Sequence, residues 1–459
     1  MFMILKKYAE LIANPFPSNT WKIVRGILHW ITLPIKLTLI GGLGYYQIFK
    51  KRNFVGRPPT ISESALNTSI NLTNFAKQLP VWKTNNFSTY VCRQPSDKEI
   101  DGKHHNYDHQ CSRNGTYAFI LSQTEEGKLL RDYSLEKGIR MHILHPYLAR
   151  GYMYTPNAEF IYNIGTTSGD MLCGLNLAVL TSNEVPTVDA YELLVKNIID
   201  NDYALLEGKC PEKDDLLHDL WKKEYKASGQ RFEKVRIKSE RGMWQPGLET
   251  VGAQALTILS ALKLSYFKSK DQEAKREYNR LFYNYGYGLL SLFPTAYIDS
   301  RRGYFNDHNC IIALYVLLKT AESKFEKWLY KKAMMYVWRL SKHWYNGYFT
   351  GLLLDACPEL LKKEEYQNHL RKCLLYLQES EPYAMSLLNK PVEHSRKTLE
   401  PNETPPKIYT MSEDEFYPDI QHDVAMNTKN GGAYYRTGLG YYASYVMCLK
   451  AWEKLNNKV

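Results

Sequence analysis

What most constrains this chain is an alternation between two kinds of helical pattern. Met171 to Leu180, Leu248 to Leu262 after Glu249, Cys310 to Leu318 and Leu439 to Leu449 carry no charge on any face. A helix that is apolar or small all round has to be buried on every side. Between these runs lie segments with a single apolar stripe. Ala274, Tyr278, Leu281, Phe282, Tyr285 and Leu289 form one, with Lys275, Arg276, Glu277 and Arg280 on the other face. Phe325, Trp328, Leu329, Ala333, Tyr336, Val337 and Leu340 form a second, while Val188 to Asp202 and Glu359 to Leu377 behave alike. Each buried helix paired with an amphipathic one that covers it makes a hairpin.

A short marker recurs with this alternation. Glycine followed by aromatic residues occurs as Gly242-Met243-Trp244-Gln245, Gly303-Tyr304-Phe305-Asn306, Gly347-Tyr348-Phe349-Thr350 and Gly432-Ala433-Tyr434-Tyr435, each ahead of an apolar run. The separations are 61, 44 and 85 residues, the last about two repeat lengths or one repeat plus an insertion. Periods of this size indicate stacked helical hairpins. Lys128 to Lys137 reads as a first outer helix and Tyr147 to Tyr162 as an aromatic-rich connection. Ser168 reads as the cap of the helix that follows, and Gly351 to Ala356 as the inner partner of Glu359 to Leu377.

A ring of such hairpins is an all-α fold, the α/α toroid. On the Gly-aromatic elbows and the alternation behind them, the chain resembles the six-hairpin glycosidase superfamily over roughly Lys128 to Lys454. That superfamily includes glycoside hydrolases, unsaturated-uronyl hydrolases and sugar epimerases, with polysaccharide lyases in related toroids. The resemblance implies an active site where the amino ends of the inner helices converge. Those ends carry Asp170, Glu249, Asp307, His308, Asn309 and Arg436, with Trp244, Tyr304, Phe305, Tyr348, Tyr434 and Tyr435 from the elbows. Aromatic walls and a polar floor suit sugar rings, which need flat faces to stack on and directional partners for hydroxyls.

Two chemistries fit these residues. Hydrolysis needs two carboxylates about 5 to 9.5 Å apart, and Asp170 with Glu249 or Asp307 is the candidate pair. Elimination or epimerisation of a uronate needs a base and a cation, roles open to His308, Tyr304 or Tyr435, and Arg436. An acid in a helix's first turn is also stabilised by the macrodipole alone, so capping competes with catalysis at Asp170 and Glu249. A non-catalytic helical-repeat scaffold at a membrane is the alternative from another class. No nucleotide-binding loop, zinc-protease motif or nucleophile elbow occurs, and no cofactor is expected.

Charge bears on partners. The formal net charge is +11, yet residues 1–57 hold nine basic residues against Glu10 alone, a local +8 that leaves +3 for the rest. No interleaved basic and aromatic stripe elsewhere suggests a nucleic-acid groove, and no nucleic-acid partner is expected. Within that basic region Gly26 to Phe49 is apolar apart from His29 and Lys36, enough to span or lie in a bilayer. Residues 1–57 thus read as a membrane anchor, 58–120 as linker and polar extension, and 121–459 as the toroid with a proline-rich loop inserted at 381–430. The eight cysteines contain no CxxC pair. Cys92 and Cys111 are a candidate disulfide, and Asn67, Asn71, Asn86, Asn114 and Asn402 are glycosylation sequons. Both features fit an extracytoplasmic or lumenal domain. Asp101, His104, His105, Asp108 and His109 crowd one loop without the helical spacing that converges on one ion, so no metal site is assigned.

Overall fold

A computed structural model describes residues 81–83, 88–90, 110–144, 147–149, 151–154, 160–163, 169–200, 253–284, 287–292, 303–342, 345–387, 391–392, 434–435 and 439–457, with isolated positions at 31, 34, 35, 38, 66, 76, 77, 79, 203. Residues 343 and 344 lie outside that description. Over these residues the protein is mostly α-helical. The helices are α1 (Gln110–Leu121), α2 (Glu125–Leu130), α3 (Tyr133–Arg140), α4 (Gly169–Thr181), α5 (Val185–Asp200), α6 (Ala253–Ser269), α7 (Gln272–Asn279), α8 (Tyr287–Leu290), α9 (Gly303–Thr320), α10 (Lys324–Ser341), α11 (Gly347–Ala356), α12 (Glu364–Leu387) and α13 (Leu439–Asn456). Short antiparallel strand pairs decorate them, among them Gly151–Tyr154 with Phe160–Asn163 in the expected aromatic connection.

The helix contacts follow a closed order. Helix α1 packs on α4, α4 on α6, α6 on α9, α9 on α11 and α11 on α13, and α13 returns to α1. Residue matches along these pairs advance together, which makes the neighbours parallel. Cys111 reaches the Met171 carbonyl at the start of α1 and α4, and Arg131 bridges the Ala118 and Ala178 carbonyls near their ends. Cys173 meets Thr257 and Asn176 meets Ser260 between α4 and α6. His308 lies against Phe349 and Tyr315 donates to Asp355 between α9 and α11. The Gly347 carbonyl accepts from Cys448 and Asp355 pairs with Lys454 between α11 and α13. These helices therefore share an amino rim and an opposite carboxyl rim.

Sequence pattern accounts for the two layers. In α6, Ala255, Leu256, Ile258, Leu259, Ala261, Leu262 and Leu264 are all buried, as an uncharged circumference requires. In α7 and the π-helical turn Arg280–Asn284, the stripe residues Ala274, Tyr278, Leu281 and Phe282 are buried while Lys275, Arg276 and Arg280 remain accessible. Short links join α4 to α5, α6 to α7 and α9 to α10, as antiparallel hairpins demand. Capping fixes where the outer helices begin: Asp132 for α3, Asp271 for α7, and Ser323 with Glu326 as a capping box for α10.

Four features depart from the sequence expectations. Residues 110–121, inside the stretch expected to be a polar extension, are the first buried helix, with all of Gln110 to Leu121 buried. Its Gln, Arg and Asn hide it from a hydrophobicity pattern. The first turn of the predicted α10 stripe points outward, with Phe325 44% and Trp328 49% exposed, while Leu329, Ala333 and Val337 are buried. The Gly303 and Gly347 elbows are the first turns of α9 and α11, whereas Tyr434 and Tyr435 pair as a strand with Pro391 and Val392 and α13 opens only at Leu439. Cys111, one half of the candidate disulfide, is buried in α1 with its thiol donating to the Met171 carbonyl, and Cys92 lies outside the described residues. Among the described residues no helix is long and apolar enough to cross a membrane. The expected membrane segment, residues 26–49 apart from positions 31, 34, 35 and 38, the 101–109 cluster and most of the 381–430 loop lie outside the described residues.

The parallel helices approach closely where glycine removes the side chain. A Cβ on Gly115 would overlap the Gly174 carbonyl, a Cβ on Gly174 would overlap the Ser112 backbone, and one on Gly351 would overlap Met447. Gly174→Ala and Gly351→Ala are each expected to lower stability by about 1 to 3 kcal/mol or more through overpacking against backbone. Urea titration of both variants checks this, and unchanged midpoints would show that the helices can separate freely.

Candidate active site

The amino rim is built from the first turns of α1, α4, α6, α9, α11 and α13. Asp170 is the second residue of α4, and Tyr304, Phe305 and Asp307 lie in the first turns of α9. The two helices touch just beyond these acids: the Cys173 thiol of α4 lies 3.7 Å from the Asn309 carbonyl of α9, and also 3.1 Å from Thr257 Oγ1 of α6. Asp170 is three positions before Cys173 and Asp307 two before Asn309, so the two backbones enter the same rim on touching helices.

His308 is buried, with its ring 6.0 Å from both the Tyr348 and the Phe349 rings. Asn309 is partly buried, and its Oδ1 is sequestered from solvent with no hydrogen-bond partner among the described residues. A buried amide oxygen of this kind costs about 1 to 3 kcal/mol unless something else satisfies it. Ser444 Oγ and Tyr445 OH, in the amino half of α13, are in the same condition. Tyr348, expected to wall a cleft, is fully buried in the core instead. Tyr434 and Tyr435 stand on the strand described above, and Trp244, Glu249 and Arg436 lie outside the described residues.

Below the first turns the rim is stitched by neutral hydrogen bonds. Tyr191 donates to Asn176 Oδ1 at 2.7 Å, and Asn176 Nδ2 donates to Ser260 Oγ at 2.9 Å, so an outer helix locks two inner ones. Burial pushes the Tyr191 phenol well above its usual range, which keeps it a neutral donor. Asn114 is wholly buried in α1 with its Nδ2 3.4 Å from His142 Nε2. This sequon is therefore inaccessible to glycosylation in the folded chain.

One cluster had no forecast in the sequence. Cys373 Sγ lies 3.4 Å from His369 Nε2 and 3.6 Å from Thr350 Oγ1, and Trp338 Nε1 donates to the same hydroxyl at 3.2 Å. Burial alone would raise the Cys373 thiol, but hydrogen bonding from Cys448 and the charge of His369 hold it well below its usual range. The i, i+4 spacing of His369 and Cys373 was the available signal; contact with Thr350 and Cys448 depended on how α11, α12 and α13 pack. Among the described residues no group of His, Cys, Asp and Glu could hold a metal ion. Compared with family models, curated proteins and solved structures, the chain matches none.

His142 gives the rim a pH signature. Burial lowers its pKa to about 3, against about 6.5 for an unfolded imidazole. Between those values the unfolded chain takes up a proton that the native chain refuses. Stability is therefore unaffected above about pH 6.5 and falls by about 1.4 kcal/mol per unit as pH drops below it. Urea unfolding at several pH values just below 6.5 should show this slope in the wild type and lose it in His142→Gln. Equal slopes would exclude His142 as its source.

Proposed function

We propose that the chain is a carbohydrate-active enzyme on an α/α toroid, acting as a glycoside hydrolase with Asp170 and Asp307 as its carboxylate pair. The closed order of six parallel inner helices backed by outer helices supports the toroid. What carries the assignment is the pairing of first turns: Asp170 on α4 and Asp307 on α9 sit beside the Cys173–Asn309 contact of two touching helices. Acids entering one rim from adjacent helix starts are suited to flank a glycosidic bond, one protonated as acid and the other ionised as base or nucleophile.

In this reading the remaining rim groups bind substrate. Asn309, whose amide oxygen has no partner among the described residues, is assigned to a substrate hydroxyl, and Tyr304 and Phe305 are assigned to ring stacking by their place near the start of the same helix. Tyr348 is excluded as a stacking platform by its burial and instead supports His308. The apolar segment 26–49 is the proposed membrane attachment, with the catalytic domain on the extracytoplasmic side.

The test is a screen of purified full-length protein against an array of oligo- and polysaccharides, reading reducing ends and unsaturated products separately. Asp170→Asn and Asp307→Asn should each lower hydrolysis by at least about 100-fold, as loss of an acid–base group does. Undiminished hydrolysis in both variants would remove these residues from the mechanism. An unsaturated product would move the chemistry to elimination.

A further inference from the structure

The outward face of α10 and the π-helical turn that follows α7 gather three exposed aromatic rings. Tyr283, Phe325 and Trp328 are each more than 40% exposed, at 46%, 44% and 49%. They are contiguous: Tyr283 packs edge-on against Phe282 at 4.7 Å, Phe282 against Phe325 at 6.2 Å, and Phe325 stacks on Trp328 at 6.2 Å and 19°. Tyr283 also closes a cleft of about 560 Å³ lined by Gln272, Lys275, Arg276, Asn279 and Arg280.

The charge on this face is one-sided. Its acids are occupied, with Glu273 on Arg276, Glu277 on Arg280, and Glu322 and Glu326 on the buried Lys263. Lys275, Lys324, Lys327 and Lys332 form no ion pair among the described residues. On a helical wheel Lys324, Lys327, Trp328, Lys332 and Phe325 share the arc opposite the buried Leu329, Ala333 and Val337.

We propose that this face docks on an anionic lipid surface, with Phe325, Trp328 and Tyr283 entering the headgroup boundary, the four lysines meeting negative headgroups, and the Lys275–Arg280 cleft receiving one phosphate. Juxtaposition selects a bilayer over a polynucleotide or acidic polysaccharide: the half-exposed Phe325 and Trp328 share one helix face with Lys324, Lys327 and Lys332. Lysines on long stems beside exposed aromatics can keep their charges in the headgroup layer while the rings go deeper.

The experiment uses the full chain with vesicles of phosphatidylcholine alone or mixed with phosphatidylserine, both carrying brominated acyl chains that quench indole. The chain has nine tryptophans, so the signal of interest is wild type minus Trp328→Phe. Expected is quenching of that component on phosphatidylserine vesicles, weakened by salt, and little on phosphatidylcholine. Reversing Lys324, Lys327 and Lys275 to Glu should abolish that component and weaken binding by on the order of 100-fold or more, since each surface cation contributes about a factor of five. This readout locates Trp328 itself, so attachment through residues 26–49 cannot imitate it. Vesicle-bound protein whose Trp328 component is unquenched would overturn the proposal. So would charge reversal without effect, or binding to heparin or single-stranded DNA in place of vesicles.

Discussion

The rest of the fold depends on how closely its buried helices approach one another. At Gly115 and Gly174 the backbones of α1 and α4 meet reciprocally, and at Gly351 the backbone of α11 meets Met447 of α13. Contacts this close bring backbone and small side chains into van der Waals range and leave no room for water. They also fix the rotation of each helix, so the residues at the amino ends are set in angle as well as height. Because neighbouring inner helices are parallel, that precision is carried to one rim.

Opposite it, the carboxyl rim is held by charge. Arg131 and Glu136 pair in the interior and reach Ala178, Ser182 and Thr187. Lys263 pairs with Glu326, which also accepts from Tyr278. Asp355, almost wholly buried, meets Lys319, Lys450 and Lys454 and accepts from Tyr315. Those three lysines hold its carboxyl far below the usual range against the opposing effect of burial. Cations at helix carboxyl ends also complement the macrodipole. Among the described residues the rims thus differ in kind: one carries buried ion pairs that fasten hairpin to hairpin, and the other carries neutral hydrogen bonds together with orphaned polar atoms at Asn309, Ser444 and Tyr445.

Much of the two-layer organisation was legible in the residues. The uncharged runs around Met171, Ile258, Cys310 and Leu439 had only one stable place, and the Ala274-Tyr278-Leu281 stripe had only one buried side. Legibility failed where burial does not follow hydrophobicity. Helix α1 opens with Gln110, Arg113 and Asn114, all buried, and Asn114 meets His142 from beyond the helix. Phe325 and Trp328 were counted in the apolar stripe of α10 but turn away from its buried arc of Leu329, Ala333 and Val337. Tyr348 followed a glycine as its counterparts did, yet its helix faces it into the core. At the rim, helix starts named the acids, but the touching of α4 and α9 at Cys173 and Asn309 came from a separation of 136 residues.

By itself, then, the sequence determined a helical chain of buried and amphipathic segments in alternation, because periodicity and charge decide locally whether a helix needs one covering layer or many. Tertiary structure alone decided which helices are neighbours, that they run parallel, that the order of contacts returns from α13 to α1, and that an aromatic and cationic face is left outside. Those outcomes depend on where glycine lets backbones meet and where buried charges find partners. Both are properties of pairs of residues far apart in the chain, and no local pattern records them.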